Sequence, residues 1–202
     1  MLILASQSAT RKSLLHKAGL HFETRAAAID ERGIEAEVAA HGADAIEIAR
    51  KLAIAKAVAV SQQAAGAVVI GADQTLALGG ELFHKPDGLA GARKQLDRLR
   101  GRTHCLHAGI ALARDGQELW SGVETAAMTM RDFSDAERDA VLRLEGEAAF
   151  NSVGAYRLEG PSVRLFETIA GDYFTILGLP LLPLLAALRR FAPEVLEPQG
   201  PA

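Results

Sequence analysis

The 202 residues carry 22 Lys and Arg against 25 Asp and Glu, a net charge of −3, which gives no basic footprint for general nucleic-acid binding. Hydrophobic residues make up 49% and charged residues 23%, the balance of a soluble globular chain and not of a disordered one. No apolar run reaches the roughly 18 residues of a membrane span, and the single Cys105 cannot close an internal disulfide, so a reducing, cytoplasmic setting without membrane contact is expected.

A strand is predicted at about 2–5, entering through "SQSAT" a helix at about 10–18 with Gly19 as its stop signal. A short strand near 21–25 precedes the polar stretch "IDERGIEAE", read as a loop carrying Asp30 and Glu31. A long amphipathic helix follows over about 43–62, with Ile46, Ala49, Leu52, Ala53 and Lys56 at helical spacing. "AVVIGA" reads as a buried strand, and "TLALGGELF" as a hairpin turning at Gly79-Gly80. Residues 88–99 read as a helix, and 103–130 as two long strands turning at Asp115-Gly116. Ser134 and Glu137 form a capping-box pattern ahead of another helix. Short strands are expected near 152–158, 163–169 and 172–176, then a helix opened by Pro180, and a frayed tail over 193–202. Helices interleaved with at least two hairpins predict a mixed α/β sheet.

Three places carry potential chemistry. Ser6 and Ser8 supply hydroxyls, the first helix supplies unpaired N–H groups, and Arg11 supplies a planar fork; together they suit an anion, although serines before a helix also serve as plain caps. The strand in "VVIGADQTLALGGELFHKP" delivers Asp73 to its end, and the hairpin carries Lys85 back. Lys56 stands in the apolar run "LAIAKAVAV", where its charge needs a partner; Asp73, Glu31 or a phosphate are the candidates. The acidic pair Asp30 and Glu31 could help hold a hard cation such as Mg²⁺. No Gly-rich P-loop, no HExxH spacing among the six histidines and no G-x-S-x-G elbow appears.

Four motifs, "SQSATRKSLL", "GADQTLALGGELFHKP", "GAYRLEG" and "GDYFTILGLPL", stand in the order found in the Maf family of nucleoside triphosphate pyrophosphatases, and the chain resembles that family over nearly its whole length. The resemblance implies an elongated mixed sheet in two lobes with a central groove, similar to the inosine triphosphate pyrophosphatases, and a possible homodimer. It implies hydrolysis between the α- and β-phosphates of a nucleotide, with Mg²⁺ or Mn²⁺ as cofactor. Carried over by position, Asp73 is the general base and shares the metal with Glu31, while Ser6, Arg11, Lys56 and Lys85 surround the phosphates.

Thr10, Gln74 and Glu159 fall at three specificity positions of the family. Gln and Glu at the last two match the branch that prefers 7-methyl-GTP, whereas Arg, Thr and Gln mark the dTTP and UTP branch. Thr10 departs from the Trp usual in the first branch, and Ala9-Thr10 replaces the family's Pro-Arg. A pyrimidine-type pyrophosphatase, and a non-catalytic nucleotide-binding regulator of cell division, are the alternatives.

Overall fold

The computed structural model describes residues 1–197. Its strands are β1 (Leu2–Leu4), β2 (Glu23–Thr24), β3 (Val68–Leu78), β4 (Glu81–Phe83), β5 (Thr103–Arg114), β6 (Gln117–Met130) and β7 (Phe166–Ala170). Its helices are α1 (Ala9–Lys17), α2 (Glu31–Ala40), α3 (Ala45–Ser61), α4 (Gly88–Leu99), α5 (Asp135–Glu145), α6 (Tyr173–Ile176) and α7 (Leu181–Phe191). The seven strands form one mixed sheet in the order β2-β1-β3-β5-β6-β7, with β4 paired to β3. β1 pairs in parallel with β2 and β3, while the β3–β4 and β6–β7 pairs are antiparallel.

The chain divides into two compact units, the first made of residues 1–74, 108–124 and 173–202, the second of 75–107 and 125–172. The division falls within β3, β5 and β6, so each of these strands carries residues of both units.

In the first unit the period-2 alternation of the strands separates two cores. Leu2, Leu4, Val68, Ile70, Ala72, Ile110 and Leu112 lie in one cluster with Leu14 and Leu15 of α1 and Leu184 and Leu188 of α7. Ile3, Val69, Ala111 and Ala113 lie in the other, with Ala53, Ala57 and Val60 of α3. The second core is built from small residues, and α3 lies close against the strands because two glycines receive it. A Cβ on Gly71 would stand 2.0 Å from the Ala53 carbonyl oxygen, and one on Gly109 would stand 2.2 Å from that of Ala49. Ala49, Ala53 and Ala57, spaced four apart, thus lay the helix backbone against β3 and β5.

Several predicted features match their elements. Gly79 and Gly80 both have positive φ in the β3–β4 turn, as do Asp115 and Gly116 between β5 and β6, the backbone of the favoured two-residue hairpin turn. Ser134 accepts from the Glu137 N–H and Glu137 reaches back to the Ser134 N–H, completing the capping box of α5.

Other features differ. The stretch read as a loop at Asp30 and Glu31 is helix α2: Asp30 caps it by accepting from the Gly33 N–H at 3.0 Å, and Glu31 is its first residue. No α2 residue is buried, so it has no apolar stripe for periodicity to detect. The strand expected at 152–158 is instead a 3-10 turn at Val153–Ala155 followed by irregular chain, because Gly154 (φ +83°) and Ala155 (φ +62°) leave the extended region. The strand expected at 172–176 is the helical turn α6, and the one expected at 163–169 begins only at Phe166. Pro180 does precede α7. Pro193–Val195 form a 3-10 turn in which Glu194 pairs with Arg114; the last five positions of the tail expected to fray, 198–202, lie outside the described residues.

In the second unit α4 and α5 are joined by ions. Arg138, 9% exposed at its side chain, reaches Asp97 at 2.6 Å and Asp139 at 2.9 Å, and Arg93 holds Asp139 through two bonds of 3.0 and 3.1 Å. These two guanidiniums hold the Asp139 carboxyl down at about 2. Nearby in sequence, His104 is buried with its Nε2 2.7 Å from the Tyr156 hydroxyl, and Phe166 packs edge-on to the Tyr156 ring.

Burial pushes the His104 imidazole down from 6.5 to about 4. In the unfolded chain it would take a proton near its ordinary value, so the stability it confers is present above about pH 6.5 and is lost as pH falls toward 4. The loss approaches about 3 kcal/mol over that window. Urea titrations at pH 7 and pH 4.5 are expected to show this drop, and His104→Gln is expected to flatten it. An unchanged pH dependence in the variant would remove His104 as its source.

Candidate active site

The site is built in the middle of β3 and not at a strand end as expected: Asp73 and Gln74 are a half-buried step between the buried runs 68–72 and 75–77, because the strand continues without a break into the hairpin. Val69, Gly71 and Asp73 alternate onto the side of the sheet that faces α3, and the glycine lets the helix approach. Lys56, one residue before Ala57 on α3, consequently meets Asp73: its Nζ donates to Asp73 Oδ1 at 2.5 Å. Glu31, the first residue of α2, reaches the same Nζ with Oε1 at 3.0 Å. α2 lies against α3, which brings that carboxylate within reach.

Two of the three candidate partners of Lys56, Asp73 and Glu31, are therefore both in contact with it. Lys56 is 8% exposed, and an ammonium at that depth needs its three protons engaged. The Asp73 side chain is 14% exposed and that of Glu31 52%, so Asp73 is the sheltered member and Glu31 the one reached by solvent.

On the other side of β3 the opening turn forms a second set of contacts. Ser8 is the N-cap of α1 and accepts from the Arg11 N–H at 3.3 Å, while the Ser6 hydroxyl accepts from the Ser8 N–H at 3.2 Å. Arg11 spends part of its fork on the backbone around it. Its Nε donates to the Gly178 carbonyl at 2.8 Å, and its Nη1 to the Ala72 carbonyl at 2.7 Å and the Ser6 hydroxyl at 3.3 Å. Burial pulls the guanidinium below its ordinary value, and the charges of Asp73 and Glu31 oppose that shift. Gln74 works on the same segment, its Nε2 donating to the Thr175 and Ile176 carbonyls at 3.0 and 3.1 Å. Arg11 and Gln74 thus tie the turn at 175–178 to the strand that carries Asp73.

A cleft of about 370 Å³ beside the opening turn is lined by Ser6, Gln7, Lys12, Thr24, Arg25 and Ala26. Lys12 stands beside Arg11 in the opening motif, whereas Thr24 and Arg25 carry no signal in the sequence, because β2 brings them to α1 through pairing with β1. Thr10, the second residue of α1, is half-buried. Lys85, just beyond β4, and Glu159, in a turn before β7, are both exposed and belong to the second unit. The contacts described above join Ser6, Arg11, Glu31, Lys56, Asp73 and Gln74 to their neighbours within the first unit; they do not include Lys85 or Glu159.

The profile of the Maf-like protein family matches residues 1–191. This chain belongs to the Maf family. Within reach of that membership, a 7-methyl-GTP pyrophosphatase of Brucella abortus biovar 1 (strain 9-941) is 53% identical over 189 residues, covering 94% of this chain and 95% of the relative. A 7-methyl-GTP pyrophosphatase of Rhizobium meliloti (strain 1021) is 51% identical over the same shares. A nucleoside triphosphate pyrophosphatase of Bradyrhizobium diazoefficiens is 55% identical over 188 residues, 93% of this chain and 92% of the relative. Among solved structures, a HAM1 protein from Coxiella burnetii matches with a TM-score of 0.42 and 16% identity, over 65% of this chain and 73% of that one.

The donor set of this Maf-family chain suits a hard divalent cation. Two carboxylate oxygens, from Asp73 and Glu31, already converge on one positive atom at 2.5 and 3.0 Å. Mg²⁺ typically takes one or two carboxylates and completes its shell with water and substrate phosphates. Among the described residues no group of three or more His, Cys, Asp or Glu could hold a metal ion. No helix among them is long and apolar enough to cross a membrane.

Proposed function

We propose that the chain is a nucleoside triphosphate pyrophosphatase of the 7-methyl-GTP type, splitting the α–β anhydride to give the monophosphate and pyrophosphate. The observation that carries this reading is the Asp73 carboxylate, held in the middle of β3 by Lys56 at 2.5 Å, in a chain about half identical to curated pyrophosphatases over nearly its full length.

Asp73 takes the proton of the water that attacks the α-phosphorus, and the Lys56 contact fixes which carboxylate oxygen is turned away for that work. Asp73 and Glu31 would hold a Mg²⁺ or Mn²⁺ ion, which neutralises phosphate charge when bound. Ser6 and Lys12, on the cleft, meet phosphate oxygens with a hydroxyl and an ammonium, and Lys85 adds a further cation. Arg11 has a positioning role: its bonds to Ala72 and Gly178 hold the backbone next to Asp73 and leave less of its fork for phosphate.

Selection of the base follows from donors and acceptors. Both protons of Gln74 Nε2 are committed to carbonyls, so its amide oxygen is the part left over for a ligand. Glu159 is an acceptor throughout. An acceptor of either kind suits a donor of a guanine edge, N1–H or N2–H₂, and repels the carbonyl oxygens of uracil. Thr10 has no ring to stack on a purine, so discrimination falls on Gln74 and Glu159.

A nucleotide panel with Mg²⁺ or Mn²⁺ and identification of products tests the reading. Monophosphate and pyrophosphate are expected, with 7-methyl-GTP preferred; release of orthophosphate would overturn it. Glu159→Gln is expected to lower the ratio of kcat/KM for 7-methyl-GTP over UTP by about tenfold, the usual scale for one hydrogen-bonding mismatch. An unchanged ratio would remove Glu159 from base recognition.

A further inference from the structure

Glu145 is a carboxylate in a place that disfavours one. It is the last residue of α5, at the negative pole of the helix, and its side chain is 0% exposed. Desolvation and the helix dipole both oppose a charge there, so its position depends on strong partners. It has them on one short stretch of chain. Oε2 accepts from Arg157 Nε at 2.8 Å and lies 2.8 Å from Arg157 Nη2, while Oε1 accepts from the Ser162 N–H at 2.9 Å and its hydroxyl at 2.8 Å.

The first anchor opens a four-residue turn, 157–160, closed by the Gly160 N–H on the Arg157 carbonyl at 3.3 Å. Its two central residues are Leu158 and Glu159. The carboxylate also packs directly on the turn: a Cβ on Gly160 would stand 2.5 Å from Glu145 Oε1. One buried group therefore grips Arg157, two residues before the tip, and Ser162, three after it, and lies against the backbone at Gly160. The tip itself, Glu159, is exposed.

We propose that Glu145 is a positioning residue for base selection: by clamping Arg157 and Ser162 it fixes the turn that presents Glu159. The proposal rests on the reading of Glu159 as the acceptor for a guanine edge. A carboxylate on an untethered turn would swing among orientations, and a substrate would have to select one of them at a cost in affinity. A clamped one is already aimed.

Glu145→Gln separates this role from simple stability. Its amide oxygen still accepts from Ser162, whereas its amide N–H₂ faces the Arg157 donors, so the Arg157 anchor alone is released. In the full chain, Glu145→Gln is expected to raise KM for 7-methyl-GTP and lower its kcat/KM ratio over UTP about tenfold, with kcat for UTP within twofold of wild type. Combined with Glu159→Gln it adds nothing further, because both act through one contact. Arg157→Gln, which breaks the same anchor from its more exposed side, gives the same shift and serves if Glu145→Gln does not fold. A ratio that stays at the wild-type value in these variants, while Glu159→Gln alone shifts it, overturns the clamp and leaves the pyrophosphatase reading standing. No shift in Glu159→Gln overturns base reading by Glu159, and the clamp with it, without touching the hydrolytic reaction. Additive effects in the double variant overturn it as well, since they place Glu145 in a separate, purely structural role.

Discussion

Asp73→Asn is expected to lose about 10²- to 10⁴-fold in kcat, the range for removal of a general base. The substitution keeps shape and one acceptor oxygen, so Lys56 retains a hydrogen-bond partner at that position and its ion pair with Glu31 at 3.0 Å. The fold should therefore persist, with a melting temperature within about 5 °C of wild type. Pyrophosphate release measured beside a thermal melt distinguishes the two kinds of damage. Full turnover in Asp73→Asn would sink the assignment of the base, and a collapsed melt would show that the ion pair matters more to folding than to chemistry. Glu31 supplies the contrast: its side chain is 52% exposed and bridges Lys56 from outside, so loss of its charge should cost less than loss of that of Asp73.

What could be read from the sequence, and what could not, divides by the range of the interaction. The turns at Gly79-Gly80 and Asp115-Gly116 and the Ser134–Glu137 capping box are local, and each is written in two to four adjacent residues. Lys56 was visible because a cation in an apolar run is anomalous, yet its partners lie 17 and 25 positions away, and only packing of α2 and β3 around α3 selects them. The engagement of Arg11 was hidden for a similar reason. Its acceptors are backbone carbonyls of Ala72 and Gly178, one of them 167 positions distant, and a carbonyl leaves no signature in side-chain identity. Glu145 at a helix end reads as an ordinary solvated charge until the turn at 157–160 folds over it. Helix α2 escaped for the opposite reason, since it buries nothing and is held by a cap and by contact with α3.

The small-residue packing under α3 makes Gly71→Ala the other substitution with a large expected effect. Its Cβ would stand 2.0 Å from the Ala53 carbonyl oxygen and 2.7 Å from the Ala57 nitrogen. Both obstacles are helix backbone, which cannot swing aside as a flexible side chain would. The helix must lift from β3 or the strand must bend, and the resulting loss of packing is expected to cost about 3 kcal/mol. That corresponds to a fall of about 10 °C in melting temperature for a chain of this size. Activity should fall as well, because Lys56 sits on the same turn of α3 and its 2.5 Å contact with Asp73 depends on how closely helix and strand approach. Gly109→Ala provides the control. It creates the same kind of conflict with Ala49, at 2.2 Å, but under an earlier turn of α3. It is expected to match Gly71→Ala in melting temperature while retaining more turnover. Equal losses of activity in both variants would mean that α3 moves as a rigid rod, so that the Lys56–Asp73 distance responds to pressure anywhere along it. A wild-type melt for Gly71→Ala would mean that the close helix–strand contact contributes nothing to stability.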